Sequence, residues 1–67
     1  MSTVGRVTEI TSRSETSFED AIRVGIERAS KTLRGVKGAW VKEQQVVVKD
    51  NRVVKYRVDL KVSFVLD

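Results

Sequence analysis

Val54-Lys55-Tyr56-Arg57-Val58-Asp59-Leu60-Lys61-Val62-Ser63-Phe64-Val65-Leu66 is the most regular stretch of this 67-residue chain. The even positions are Val54, Tyr56, Val58, Leu60, Val62, Phe64 and Leu66, and they alternate with Lys55, Arg57, Asp59, Lys61 and Ser63. Side chains point to opposite faces along a strand, so a period of two held this long marks a strand with one face on a core. Its upstream partner runs from Trp40 to Lys49 and joins it at Asp50-Asn51-Arg52, where Asp and Asn tolerate turn dihedrals. The first arm is less regular. Val46-Val47-Val48 is apolar on both faces, and an apolar side chain on the face away from the core needs cover from elsewhere, which points to subunit packing.

The cover for the core face lies upstream. Phe18, Ala21, Ile22, Gly25, Ile26, Ala29, Leu33 and Val36 follow the three/four spacing of a helix with one buried face. Thr16-Ser17-Phe18-Glu19 has the form of a capping box, with Ser14 an alternative cap one turn earlier. Glu19 and Asp20 in the first turn, and Lys31 and Arg34 in the last, complement the helix dipole. Glu27 stands one turn before Lys31 for an ion pair, and Gly35 supplies a left-handed stop. Gly25 on the apolar face costs about 1 kcal/mol of helix propensity against Ala, and its place there lets a strand backbone approach closely. Ahead of the helix, Thr3 to Thr11 is rich in β-branched residues and runs into polar Ser12-Arg13-Ser14-Glu15, a short strand ending in a loop. Residues 1–67 therefore read as a single α+β domain, β-α-β-β, with one helix across a three-stranded antiparallel sheet.

Composition bounds the chemistry. A domain of this size buries only about 60% of its unfolded surface and is marginal alone. With no Cys and no His, neither disulfides nor the usual zinc ligands can reinforce it, so self-association is expected. The same lack removes the ordinary general base near neutrality and the thiol nucleophile, so the protein reads as a non-enzyme. No apolar leader opens the sequence and no apolar run reaches the ~20 residues of a membrane span, so a soluble, cytoplasmic protein without membrane contact is expected.

The remaining constellations each have a plain reading. Arg23, Arg28, Lys31, Arg34 and Lys37 along the helix, with Lys55, Arg57 and Lys61 on the polar strand face, could meet a polyanion. A net charge of +4 is ordinary, however, and Phe18, Tyr56 and Phe64 sit on apolar faces where they offer bases no platform; nucleic acid is the weaker alternative. Trp40, opening the second strand after Gly38-Ala39, is either an interface aromatic or a stacking surface for a planar ligand. Asp50-Asn51 lacks the spacing of a calcium loop and reads as a turn. Gly35-x-x-Gly38 lies at the end of a helix that does not attract anions.

Several segments together resemble the dodecin family over nearly the full chain. They are Val7-x-Glu9-Ile10, Glu19-x-Ala21-Ile22, Arg28-Ala29-x-Lys31-Thr32-Leu33-Arg34, Val41-Lys42-Glu43 and Tyr56-x-Val58-x-Leu60-x-Val62-x-Phe64-x-Leu66. The resemblance implies a β-α-β-β subunit that assembles into a hollow homododecamer and stores or quenches flavin without catalysis. In flavin-binding members a tryptophan stacks on the isoalloxazine and a glutamine bonds its polar edge. Those two positions fall on Gly38 and Arg57 here, and Trp40 stands two residues on, roughly 6–7 Å along the strand. Arginine has donors only and a fixed charge, where glutamine has a donor and an acceptor. The departures resemble a divergent branch in which some members are associated with calcium, with no ligand set that maps onto this sequence. Gly38, Trp40 and Arg57 are therefore the candidate binding residues, with the metal ligands unknown. Three readings stay open: a dodecameric shell binding or storing a small ion or molecule, a riboflavin or FMN binder using Trp40, and a small basic nucleic-acid binder.

Overall fold

A computed structural model describes residues 4–66 of the chain, so the Thr3 end of the expected first strand lies outside it. The order is β1 (Gly5–Ser14), α1 (Phe18–Thr32), β2 (Val36–Lys49) and β3 (Arg52–Val65). The three strands form one antiparallel sheet in the order β1-β3-β2, so the regular strand quoted above is the central one. The β-α-β-β reading holds. β1 is longer than expected, because Ser12 and Ser14 stay in the ladder opposite Val58 and Tyr56 rather than forming a loop.

The core sits between α1 and the even face of β3. Val58, Leu60 and Val62 are buried with Ala21, and Ile10, Phe18, Ile22, Ile26, Leu33 and Val36 pack around them. Phe18 meets Tyr56 edge-on, with ring centroids 5.1 Å apart, a favoured aromatic geometry. At Gly25 an added Cβ would stand 3.0 Å from Ser12 Cβ and 3.3 Å from Leu60 Cδ1. The glycine thus admits two side chains, where a strand backbone was expected.

The ends of α1 depart from the sequence reading. Ser17, not Thr16, is the N-cap: its backbone is extended and its hydroxyl accepts from Asp20 N–H at 2.9 Å. Ser14 braces this end from β1, where its hydroxyl donates to Asp20 Oδ2 at 2.7 Å and accepts from Thr16 N–H at 2.9 Å. The hydrogen bond from Ser14 and the guanidinium of Arg23, 2.7 Å from Asp20 Oδ1, hold the Asp20 carboxyl below its ordinary value. Arg23 also takes Glu27 at 2.7 Å, so Glu27 pairs one turn back rather than with Lys31.

At the other end the helix stops at Thr32. Leu33 is already extended, Gly35 is left-handed at φ +62°, and Val36 begins β2. Leu33 and Val36 still reach the core, but from an extended chain, and Arg34 lies beyond the helix. Residues that bury on one core share a pattern whether or not one helix carries them all.

The hairpin turn is shorter than expected. Asp50 (φ 52°) and Asn51 (φ 63°) are both left-handed, as a two-residue turn matching the strand twist requires, and Arg52 already pairs with Lys49. β1 pairs with β3 only from Tyr56 to Val65, so the hairpin beyond it is two-stranded and the molecule is 53 Å long against 19 and 13 Å. The helix lies over β1 and β3 and leaves β2 exposed at every residue after Val36.

Candidate functional site

Because the even residues of β3 face the helix, its odd residues face away, and the strand register arranges that outer face in rows. Arg13, Arg57 and Gln45 form one row across β1, β3 and β2. Thr11, Asp59 and Glu43 form the next, followed by Glu9, Lys61 and Trp40, then Val7, Ser63 and Gly38. The order depends on an irregularity between Val41 and Glu43. Such a bulge sets two residues against one and shifts the alternation that follows. Upstream of it the even residues Gly38 and Trp40 face outward; downstream the odd residues Glu43 and Gln45 do.

Arg57 is the most constrained group on this face. Its Nη1 donates to Gln45 Oε1 at 3.2 Å, and its Nε lies 3.4 Å from Asp59 Oδ1. That Nε is shielded from solvent, yet the contact to Asp59 is an ion pair without hydrogen-bond geometry, so the N–H has no acceptor. Asp59 Oδ1 also accepts from Thr11 Oγ1 at 3.0 Å. Glu43, Gln44, Gln45, Arg57 and Asp59 line a pocket of about 380 Å³ open on this face. Arg57 commits a donor to Gln45 Oε1, which leaves the amide of Gln45 with its own N–H donors for a ligand. The pocket therefore offers donors from Arg57 and Gln45 and acceptors from the two carboxylates.

Trp40 is 51% exposed, and Lys61 Nζ lies 6.0 Å from its ring centroid, at the outer limit of a cation–π contact. Next to it Ser63 Oγ donates to the Gly38 carbonyl at 3.1 Å. The structure therefore brings Gly38 and Trp40 together on one face, as the strand period implied. It does not bring Arg57 to them. Arg57 and Lys61 lie four positions apart on β3, roughly 13 Å along the strand. Within one chain Trp40 and Arg57 are two separate places.

Sequence reasoning missed Gln45 and Glu43, because their proximity to Arg57 depends on the register and the bulge, whereas Asp59 shares the strand face of Arg57 by alternation alone. It placed Lys55, Arg57 and Lys61 on one polar strand face that could meet a polyanion. The rows intersperse Asp59, Glu43 and Glu9 among them, and Lys42 reaches Glu9 at 3.4 Å. Among the described residues no group of three potential metal ligands gathers. Among the described residues no helix is long and apolar enough to cross a membrane.

One helix on a three-stranded antiparallel sheet, with an elongated hairpin and a polar outer face, defines a small α+β domain of β-α-β-β topology. A family model described as Dodecin matches residues 4–67, and the chain belongs to the dodecin family. Among solved structures, dodecin from Streptomyces davaonensis is 36% identical with a TM-score of 0.95, covering 100% of this chain and 98% of that one. A Thermus thermophilus dodecin, solved as a single-residue mutant, is 35% identical over 98% of both chains with a TM-score of 0.92. Calcium dodecin from Mycobacterium tuberculosis, described as a calcium-chelating antigen with a novel calcium-binding site, is 33% identical with a TM-score of 0.83. It covers 96% of this chain and 91% of that one. No curated protein matches the chain.

Proposed function

We propose that this dodecin is a non-enzymatic small-ligand-binding and storage protein, working in the cytoplasm as a hollow homododecameric shell. One observation carries the ligand reading: the pocket on the outer sheet face, where the shielded Nε of Arg57 lacks an acceptor that a bound molecule would supply. An unpaired shielded donor costs on the order of 1–3 kcal/mol, so a ligand that meets it recovers that energy. The exposed β2 supports the assembly, since Val41, Val46, Val47 and Val48 lie bare on a chain with no other reinforcement. Static light scattering on the purified protein, with an absorption spectrum, tests both halves. A dodecameric mass supports the shell, and a monomeric mass at micromolar subunit concentration would sink it.

A second reading has its own support. Trp40 lies half-exposed on the outer face beside Gly38, so a flavin could stack there in place of the position that Gly38 occupies. Micromolar riboflavin or FMN should then lose most of its fluorescence on adding the protein, and the Trp40→Ala variant should restore it. Calcium would need ligands from more than one subunit, given the scattered carboxylates of the described residues. A basic nucleic-acid role is disfavoured by the acids interspersed among Lys55, Arg57 and Lys61.

A further inference from the structure

Arg13 and Arg57 stand directly opposite each other on adjacent strands, both on the outer face. Cross-strand partners have Cβ atoms about 4.5–5.5 Å apart, and like charges so placed are destabilising. Asp59 lies within ion-pair distance of Arg57 and also takes Thr11, so it neutralises one of the two guanidinium groups. Among the described residues Arg13 is exposed and has neither a hydrogen bond nor an ion pair. Lys55 follows Arg57 by two residues on the same strand face and adds a further positive charge. Glu43, the other carboxylate lining the pocket, lies in the next row on β2, with β3 between it and Arg13. Across β3 from the β2 side of the pocket, the outer face beside Arg57 is therefore basic and short of acceptors: the unpaired guanidinium of Arg13 on β1, and the Arg57 Nε with no hydrogen bond.

We propose that Arg13 and Arg57 together hold an oxyanion, so that the molecule bound on the outer face carries a phosphate or carboxylate group on this side. This rests on the reading of the outer face as the ligand site. Guanidinium groups bind such oxygens through paired, charge-assisted hydrogen bonds, and one oxyanion between two arginines removes their mutual repulsion while giving the Arg57 Nε an acceptor. The acidic row of Asp59 and Glu43 then faces the part of the ligand that bears N–H or hydroxyl donors.

The test uses the full chain in its native assembly. Thermal midpoints are measured while inorganic phosphate or sodium acetate is titrated against sodium chloride at matched ionic strength. A saturable rise in phosphate or acetate above chloride is expected, and which of the two anions gives it tells whether the ligand carries phosphate or carboxylate. Arg13→Gln, at an exposed position, should fold and raise the half-saturating concentration at least tenfold, and Arg13→Lys should recover part of the loss. Arg57→Gln should do the same, and the double variant should add little. Equal midpoints in all three salts, or an Arg13→Gln variant that keeps the full effect, would overturn the proposal. Mass and riboflavin quenching, taken on the same samples, separate this from the reading it rests on: intact assembly and flavin binding without an anion effect would remove the oxyanion alone.

Discussion

Leu60 on β3 and Val46 on β2 are both apolar residues on the helix side of one sheet, yet Leu60 is 1% exposed and Val46 39%. The local sequence does not separate them. What does is the width of a single helix, which spans β1 and β3 and leaves β2 and the distal hairpin bare. Alternation says which way a side chain points, and the packing partner decides whether it is buried. In this chain the covered half forms the core, and the bare half is the surface that the proposed assembly would cover.

The contrast can be broken first at its buried end. Leu60→Ala should lower subunit stability by about 2–5 kcal/mol in urea unfolding, the usual range for truncating a buried leucine. A loss below about 1 kcal/mol would mean that the core is not where the structure puts it. Gly25→Ala comes next, because its Cβ would press on Ser12 Cβ at 3.0 Å and on Leu60. Overpacking costs about 1–3 kcal/mol, and the gain of about 1 kcal/mol in helix propensity offsets part of it. A small net destabilisation is expected, and relief of that cost by Ser12→Gly would confirm the contact.

Ser14→Ala tests the brace between the two halves of the covered body. It removes the donor to Asp20 and an acceptor for Thr16 N–H, for a loss of about 1 kcal/mol at pH 7. The pH dependence has a definite sign. Asp20 is held below its ordinary value of 3.8, so its contribution is present above that pH and disappears as the pH falls through the lowered folded value. The wild-type protein should therefore lose stability on acidification more steeply than Ser14→Ala, and equal slopes below pH 4 would count against the brace.

Val46→Thr should have the smallest effect on the subunit, within about 0.5 kcal/mol as for other surface changes. Its effect on assembly should be larger, seen as a shift toward lower mass on dilution. An unchanged mass with lost stability would invert the comparison, placing Val46 in the subunit's own core.

How much was legible follows from these particulars. The helix, the hairpin turn and the buried face of β3 were readable because each is a local pattern, although the helix is capped by Ser17 rather than Thr16 and the turn lacks Arg52. The helix end was not, because Leu33 and Val36 keep the helical spacing while reaching the core from extended backbone. At the candidate site, Arg57 and Trp40 were visible as departures from a family pattern. Asp59 was visible as the next residue on the same strand face, but Gln45 and Arg13 were not visible as neighbours of Arg57. Arg13 meets it because β3 lies in the middle of the sheet, and Gln45 also because of the shift between Val41 and Glu43; both are set by contacts across long sequence separations.

Local chemistry accounts for the rest. The alternation of β3 and the helical spacing of α1 made an α+β, β-α-β-β fold readable from residue order alone. Those are properties of near neighbours in the chain, where periodicity and composition act directly. Which apolar faces stay bare, and which charges share a row, was settled only when β3 took the central place and one helix proved too narrow to cover three strands. Pairing register is a long-range choice, and a single bulge at Lys42 was enough to turn Gln45 from the helix side toward Arg57.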